Sequence, residues 1–214
     1  MLRWNPLSLS LIGLLVLGPA GLASAGGHTW DTIEVFSDSS GQIQFVELWE
    51  SGGGASEFAV PGKLMSSGLA SFTISGASLA PVSTANKFYL LATQAFADLP
   101  GAPTPDAIIP PGSIPFFSTT GDFVSYGGLD TWTFGEVPTD GVRSLKRGSA
   151  GDTAGPGINS PTNFAGDTGS VDLSAPPAGP TSAPMLSGPT QLLLLATLLT
   201  AGIAVVRRRA PLRH

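Results

Sequence analysis

Short apolar or β-branched runs alternate with clusters of small and turn-forming residues along the chain from Asp31 to about Lys146. The runs have the length and residue types of β-strands, and the Asp, Ser and Gly clusters between them are typical of turns. The strand-like runs are TIEVF, QIQFVELW, LASFTIS, KFYLLAT, DFVSY and DTWTFG, and the turns are DSSG, SGGG, TTGD and YGGLD. This pattern predicts an all-β fold, an antiparallel sandwich or barrel. One helical turn is predicted, from Thr93 to about Leu99, because a Pro-Gly pair follows and ends it.

The run QIQFVELWE places a charged side chain on an otherwise apolar face. In a strand, Phe45, Glu47 and Trp49 point to the same side. A buried carboxylate is costly without a partner, so either Glu47 is paired or a bulge shifts the register. We expect Glu47 to be partly buried and paired, with Arg143 or Lys146 as its partner.

Aromatic side chains recur on the predicted strands, where they usually fill the interior of a sandwich. A ligand-binding patch would instead need two or more of them on the solvent face. The predicted core aromatics are Phe45, Trp49, Phe72, Phe88, Trp132 and Phe134.

The N-terminus has the three parts of a secretory signal peptide. Arg3 is the positive region, Leu7 to Leu17 is the apolar region, and Ala23 and Ala25 form a small-residue cleavage site. We therefore predict that residues 1–25 are a signal peptide, cleaved after Ala25.

The C-terminus has the pattern of a single membrane-spanning helix. Residues from Met185 to Val206 carry no charge, and about 20 apolar residues are enough for a helix to cross a bilayer. The arginines that follow would stay cytoplasmic, which places the N-terminal part outside. They are Arg207, Arg208, Arg209 and Arg213.

Between these ends, apolar content falls after Gly148, and the stretch SAPPAGPTSAP has the composition of an extended linker. The predicted domains are therefore a β-sandwich over 26–166, a linker over 167–184 and an anchor or sorting segment over 185–214.

Charge is divided unevenly along the chain. All fifteen acidic residues lie between Asp31 and Asp172, and five basic residues oppose them, for a net charge of −10. Nucleic acid and anionic lipid are poor partners for such a domain, because like charges repel. The chain has no cysteine, and His28 is the one histidine of the predicted exported part, which excludes thiol nucleophiles and His-based triads.

Several segments, in order, resemble lamin-tail domains. QFVELWE resembles their first strong strand, and KFYLLAT followed by QAFADL resembles their strand and short helix. GDFVSYGGLDTWTFG is similar to their hairpin, and DGVRSLKR and NSPTNFAG are similar to their closing strand and terminal turn. The resemblance covers Ile33 to Gly166 and implies an immunoglobulin-like sandwich that serves as a binding or structural module and not as an enzyme.

The C-terminal layout resembles bacterial sorting signals of the exosortase type, which combine a Pro-containing motif, one membrane helix and an arginine cluster. APMLSGP, which begins just before Pro184, occupies the motif position, although it is not of the Pro-Glu-Pro form. The resemblance implies processing by an exosortase-like protease after export, and a permanent anchor is the alternative.

Two kinds of site are compatible with the residue types. Extracellular β-domains bind calcium through Asp side chains and loop carbonyls, whereas Asp also caps its own loop in an Asx-turn. Carboxylate chemistry on a sugar would use Glu47, Glu50 and Glu57, with Trp49 stacking on the ring. The weak calcium candidates are Asp38, Asp122, Asp130 and Asp140.

These observations favour an exported, surface-anchored module with an adhesive, scaffolding or matrix role, no catalysis and no required cofactor. Its expected partners are the membrane, the export and sorting machinery, and a surface polysaccharide or protein. The alternative is a secreted carbohydrate-active or phosphoester-hydrolysing enzyme that uses carboxylates, with or without calcium. Two or more carboxylates converging in a pocket would favour the enzyme.

Overall fold

The computed structural model describes residues 26–148 and 153–174, which form ten strands and two short helices. All six predicted strand runs contribute to a strand, which confirms the all-β prediction. The strands are β1 Trp30–Ser37, β2 Gln44–Glu50, β3 Leu64–Ser67, β4 Ser71–Thr73, β5 Phe88–Ala92, β6 Ala107–Ile108, β7 Asp122–Tyr126, β8 Asp130–Phe134, β9 Arg143–Arg147 and β10 Thr153–Ile158.

The helical segments are α1 Gln94–Ala97 and a 3₁₀ turn, Pro111–Ser113. The predicted helical turn is therefore confirmed. Thr93 begins α1 as its N-cap, since its hydroxyl accepts a hydrogen bond from the Phe96 N–H.

The strands form two sheets in a sandwich-like arrangement. The larger sheet has the order β10-β9-β1-β2-β5-β6 and the smaller has the order β4-β3-β7-β8. Neighbouring strands run antiparallel except β5 and β6, which are parallel and correct the expectation of a purely antiparallel fold. Both sheets contribute to one apolar core, which includes Val35, Leu48, Leu91, Met65 and Trp132.

A bulge in β1 decides which of its side chains face this core. Thr32 lies opposite Leu48 of β2 and Glu34 lies opposite Glu47, so Ile33 is an extra residue. The insertion turns Val35 into the core and leaves Glu34 on the opposite side, which we call the outer face of the larger sheet.

The folded unit extends past the predicted boundary at Gly166. Val171 is 1 % exposed, and it exchanges two hydrogen bonds with the Asn159 side chain. Gly169 donates to the carbonyl of Pro161. The segment after β10 thus packs against the domain at least as far as Val171.

Both terminal predictions fall outside the described residues. This concerns the signal peptide with Ala23 and Ala25, the sorting motif with Pro184, and the arginines at 207–209. Within residues 26–148 and 153–174, no helix is long and apolar enough to cross a bilayer.

Candidate functional site

An open groove of about 820 Å³ lies on the outer face of the larger sheet. Its volume is in the range of small-molecule sites. Strands β1, β2, β5 and β9 supply the floor and one wall, and the segment after β10 supplies the rim. The residues that define this outer groove are Asp31, Ile33, Glu34, Glu47, Trp49, Ser51, Phe88, Lys146, Arg147, Gly148, Ser160, Thr162 and Thr168.

Two carboxylates lie side by side on the floor. Glu34 and Glu47 are directly opposite each other on β1 and β2, and both are almost completely buried, at 3 % and 2 % exposure. Cβ atoms of such cross-strand partners are about 5 Å apart. The β1 bulge creates this pair, because without the extra residue Glu34 would point into the core.

Glu34 forms an ion pair with Lys146. Lys146 Nζ donates to its Oε2 at 2.6 Å, and the Ser160 N–H donates to its Oε1 at 2.9 Å. Lys146 also donates to the Ser160 hydroxyl at 2.7 Å, which fixes the ammonium between the strand and the rim. The prediction that Arg143 or Lys146 pairs with Glu47 is wrong in its partner, since Lys146 makes its ion pair with Glu34 and Arg143 makes its own with Asp140.

Glu47 has a different electrostatic environment. It accepts a hydrogen bond from the Thr162 N–H at 2.7 Å. Burial and the neighbouring Glu34 charge raise its pKa to about 8, against the lowering effects of Thr162 and Lys146. Near neutral pH Glu47 therefore carries a proton, and its carboxyl group can donate a hydrogen bond or a proton into the groove.

One wall of the groove is aromatic. Trp49 of β2 and Phe88 of β5 are direct cross-strand partners on the outer face, and both are partly exposed. The prediction that they belong to the core is wrong, whereas Phe45, Phe72, Trp132 and Phe134 are buried as predicted. Two neighbouring aromatic side chains on the solvent side meet the condition for a ligand-binding patch.

The other acidic candidates lie apart from this pair. The Glu50 carboxylate accepts from Thr29, from the Gly52 N–H and from the Asn86 N–H, so it orders the loop after β2. Glu57 accepts from the backbone N–H of His28, near the N-terminal end of the described chain. Sequence reasoning grouped these two with Glu47, but the structure places Glu34 there instead.

The carboxylates of the four calcium candidates each have their own hydrogen-bond partners. Asp38 accepts from the Ile43 N–H and from Ser40 within its own turn, and Asp122 accepts from the N–H groups of Gly68 and Ser118. Asp38 and Asp140 face each other in an isolated bridge. Hydrogen bonds from the backbone N–H and the guanidinium of Arg143 hold the pKa of Asp140 at about 2.

Asp130 has a structural role between the sheets. Its carboxylate accepts from Arg147 at 2.8 Å and from the Thr32 N–H at 2.8 Å, and Arg147 also donates to the Thr32 carbonyl. These contacts connect β8 to the start of the β1 bulge. Within the described part of the chain, no group of three or more His, Cys, Asp or Glu residues is arranged to hold a metal ion.

The chain has no match among protein-family models, curated proteins or solved structures.

Proposed function

We propose that the chain is an exported, surface-anchored sandwich module of the lamin-tail-like, immunoglobulin-like kind, and that its outer groove binds a neutral carbohydrate chain. The observation that carries the proposal is the partly exposed Trp49–Phe88 pair beside a floor of hydrogen-bonding groups. Ring faces of sugars are apolar and their edges carry hydroxyl groups, so an aromatic wall and a polar floor suit both at once.

Charge decides which carbohydrates fit. The predicted exported part carries a net charge of −10. The groove adds no positive excess, because the formal charges of Asp31 and Glu34 balance those of Lys146 and Arg147, and Glu47 is protonated near neutral pH. An anionic polymer would be repelled, whereas a neutral glycan can accept hydrogen bonds from Lys146 and from protonated Glu47.

The binding test uses the exported protein and a panel of neutral and anionic polysaccharides in affinity electrophoresis and calorimetry. We expect binding to neutral glycans. Trp49→Ala should weaken this binding about tenfold or more, because it removes a central aromatic contact. The matched control is Phe123→Ala, which removes a half-buried aromatic side chain from the smaller sheet. If no neutral glycan binds, or both variants weaken binding equally, the groove is not the glycan site.

The second candidate is a carboxylate-dependent hydrolase, and the Glu34–Glu47 pair is the observation that favours it. Glycoside hydrolysis needs an acid that is protonated at working pH beside a second carboxylate. Glu47 fits the acid, while Glu34 is engaged by Lys146 and Ser160. New reducing ends that form with the wild type and not with Glu47→Gln would establish hydrolysis, and recovery of the bound glycan intact would establish a binding module.

The export part of the proposal rests on the terminal sequence patterns. Intact mass spectrometry of protein from the membrane, the envelope and the culture medium tests it directly. A chain that begins at Gly26 and retains Arg213 is a type I anchored module. A chain that ends between Pro184 and Pro189 has had its tail processed as a sorting signal, and a chain that retains residues 1–25 contradicts cleavage.

A further inference from the structure

The residues just before β1 are bound to the domain. The Gly26 carbonyl accepts from the Ala59 N–H at 3.0 Å, and the His28 N–H donates to Glu57 Oε2 at 2.7 Å. The Thr29 carbonyl accepts from the Ser51 N–H at 2.9 Å. The segment from Gly26 therefore belongs to the folded unit, although it immediately follows the predicted cleavage point.

Gly26 and Gly27 are closely surrounded by other parts of the domain. A Cβ atom on Gly26 would lie 2.5 Å from Glu57 Oε1, and one on Gly27 would lie 3.0 Å from the Ala59 carbonyl oxygen and 3.1 Å from the Tyr126 hydroxyl. The carboxylate of Glu57 thus lies directly against the Gly26 backbone. Its side chain is 18 % exposed, so water screens its charge only in part.

The Gly26 nitrogen is close enough to this carboxylate for an ion pair. Standard bond lengths and a tetrahedral angle place a Cβ atom about 2.5 Å from the backbone nitrogen of its own residue. A Cβ on Gly26 would lie 2.5 Å from Glu57 Oε1, so the two distances add to an upper limit. The Gly26 nitrogen therefore lies within about 5 Å of Glu57 Oε1, a distance at which an opposite charge stabilises the charged form of its neighbour.

We propose that cleavage of the Ala25–Gly26 bond creates an α-ammonium group on Gly26 that forms an ion pair with Glu57, so that maturation itself completes the fold at this edge. In the cleavage, a signal peptidase adds water across the peptide bond. Ala25 leaves with a carboxylate, and the Gly26 amine takes up a proton. The inference rests on the export part of the proposed function and is independent of the outer groove, which does not contain Glu57.

The ion pair has a pH dependence of defined sign. An ammonium next to a carboxylate has its pKa raised above the value of an unfolded α-amine, about 7.7–8.0. As long as Glu57 is ionised, the stabilisation is therefore complete below that pH, and it is lost as the pH rises through the folded pKa. His28 Nδ1 lies 3.7 Å from Glu57 Oε2 and Tyr126 also senses the Glu57 charge, so the pH dependence is followed at the α-amine itself.

The test uses the full exported protein, with the N-terminus first identified by intact mass. Selective acetylation of the α-amine should lower the Tm of the wild type by about 2–4 °C. Glu57→Gln, which keeps the hydrogen-bond acceptor and removes the charge, should have the lower Tm already and lose nothing more on acetylation. Glu136→Gln, an exposed change of the same kind, should respond to acetylation as the wild type does.

A second measurement separates the ion pair from a steric effect of the acetyl group. In NMR titration, the Gly26 α-amine should titrate above about 8 in the wild type and return to about 7.7–8.0 in Glu57→Gln. A mature chain that begins at another residue overturns the inference, as does an α-amine that titrates identically in both proteins. Glycan binding by the same preparations reports on the groove alone, so the two failures are distinguishable.

Discussion

Two pairs of residues on the same two strands give the outer face of the larger sheet two different halves. Phe36 and Phe45 are direct partners on β1 and β2, and two residues further along the strands Glu34 and Glu47 are partners on the same face. All four are almost completely buried. The phenylalanine rings stack with centroids 5.4 Å apart, and Phe96 of α1 closes over them.

The difference between the halves lies in what burial demands. Dispersion and apolar burial have no direction, so one helical turn that carries Phe96 is enough to close the phenylalanine half. In the carboxylate half, oxygens need particular partners, which come from Lys146 of β9 and from the Ser160–Thr162 segment. Glu47 still has a strongly raised pKa, which shows that its desolvation is only partly offset.

A fold gains nothing in stability from a buried carboxylate pair where two apolar side chains would fit, as the neighbouring half of the face demonstrates. Residues that depart from the local rule at such a cost concentrate at functional sites. The comparison is therefore an argument for proposing the groove, and not the phenylalanine cluster, as the ligand site of this face.

The largest effect on this comparison should come from Phe45→Ala. The side chain is fully buried between Phe36 and Phe96, so truncation should cost about 3–5 kcal/mol in the free energy of unfolding. Urea unfolding followed by circular dichroism measures it. Leu129→Ala, at a 45 % exposed turn position, should change stability by less than about 0.5 kcal/mol. Equal effects of the two substitutions would show that the phenylalanine half is not a packed unit.

The next largest effect should be a change in the pH dependence of stability in Glu47→Gln. The folded state holds the Glu47 proton up to a pKa of about 8, whereas the unfolded chain loses it near 4.5. Between these values the folded state binds more protons, so wild-type stability falls as the pH rises, by up to about 1.4 kcal/mol per pH unit. Glutamine carries no ionisable proton, so the variant should lack this decline and be the more stable protein above pH 8.

Urea unfolding at half-unit steps from pH 4.5 to 9 measures this difference. Glu136→Gln is the control, since an exposed carboxylate should leave the wild-type profile unchanged in shape. A Glu47→Gln profile parallel to that of the wild type would show that Glu47 ionises normally, and the proposed hydrogen-bond donor in the groove would then be lost.

The pattern of short apolar runs and turns predicted six of the ten strands in the described part of this fold. TIEVF, KFYLLAT and DTWTFG combine β-branched or aromatic residues with turns on both sides, and each forms the expected strand. β3, β6 and β10 were missed because LMSS and AI are too short and weakly apolar, and TAGPGI too rich in Gly and Pro, to differ from loops. β9 was expected only from the resemblance of DGVRSLKR to a closing strand. The parallel pairing of β6 with β5 is set by tertiary packing, which the local sequence pattern does not reveal.

The candidate site was only half visible in the sequence. QFVELWE revealed that Glu47 had to be buried or displaced by a bulge, and the structure has both a buried Glu47 and a bulge on the partner strand. Glu34 was missed because a charged residue in TIEVF is typical of a solvent face. Trp49 and Phe88 were assigned to the core because sequence period identifies which residues share a face, but not which face is covered.

The smallest of the three effects should come from Lys146→Met, which removes the cation from the carboxylate half and keeps the aliphatic stem. Breaking a fully buried ion pair costs about 3–5 kcal/mol, and an exposed pair is worth less than about 1 kcal/mol. Lys146 is 31 % exposed and Glu34 is 3 % exposed, so we expect a loss of about 2 kcal/mol at pH 7.

The control is Arg143→Met, which breaks the exposed ion pair between Arg143 of β9 and Asp140 and should cost less than about 1 kcal/mol. Adding Glu34→Gln to Lys146→Met should recover part of the loss, because no charge is then left unpaired. If the two single variants unfold at the same urea concentration, the Lys146–Glu34 ion pair does not stabilise the groove floor, which must then be held by the Ser160 and Thr162 backbone alone.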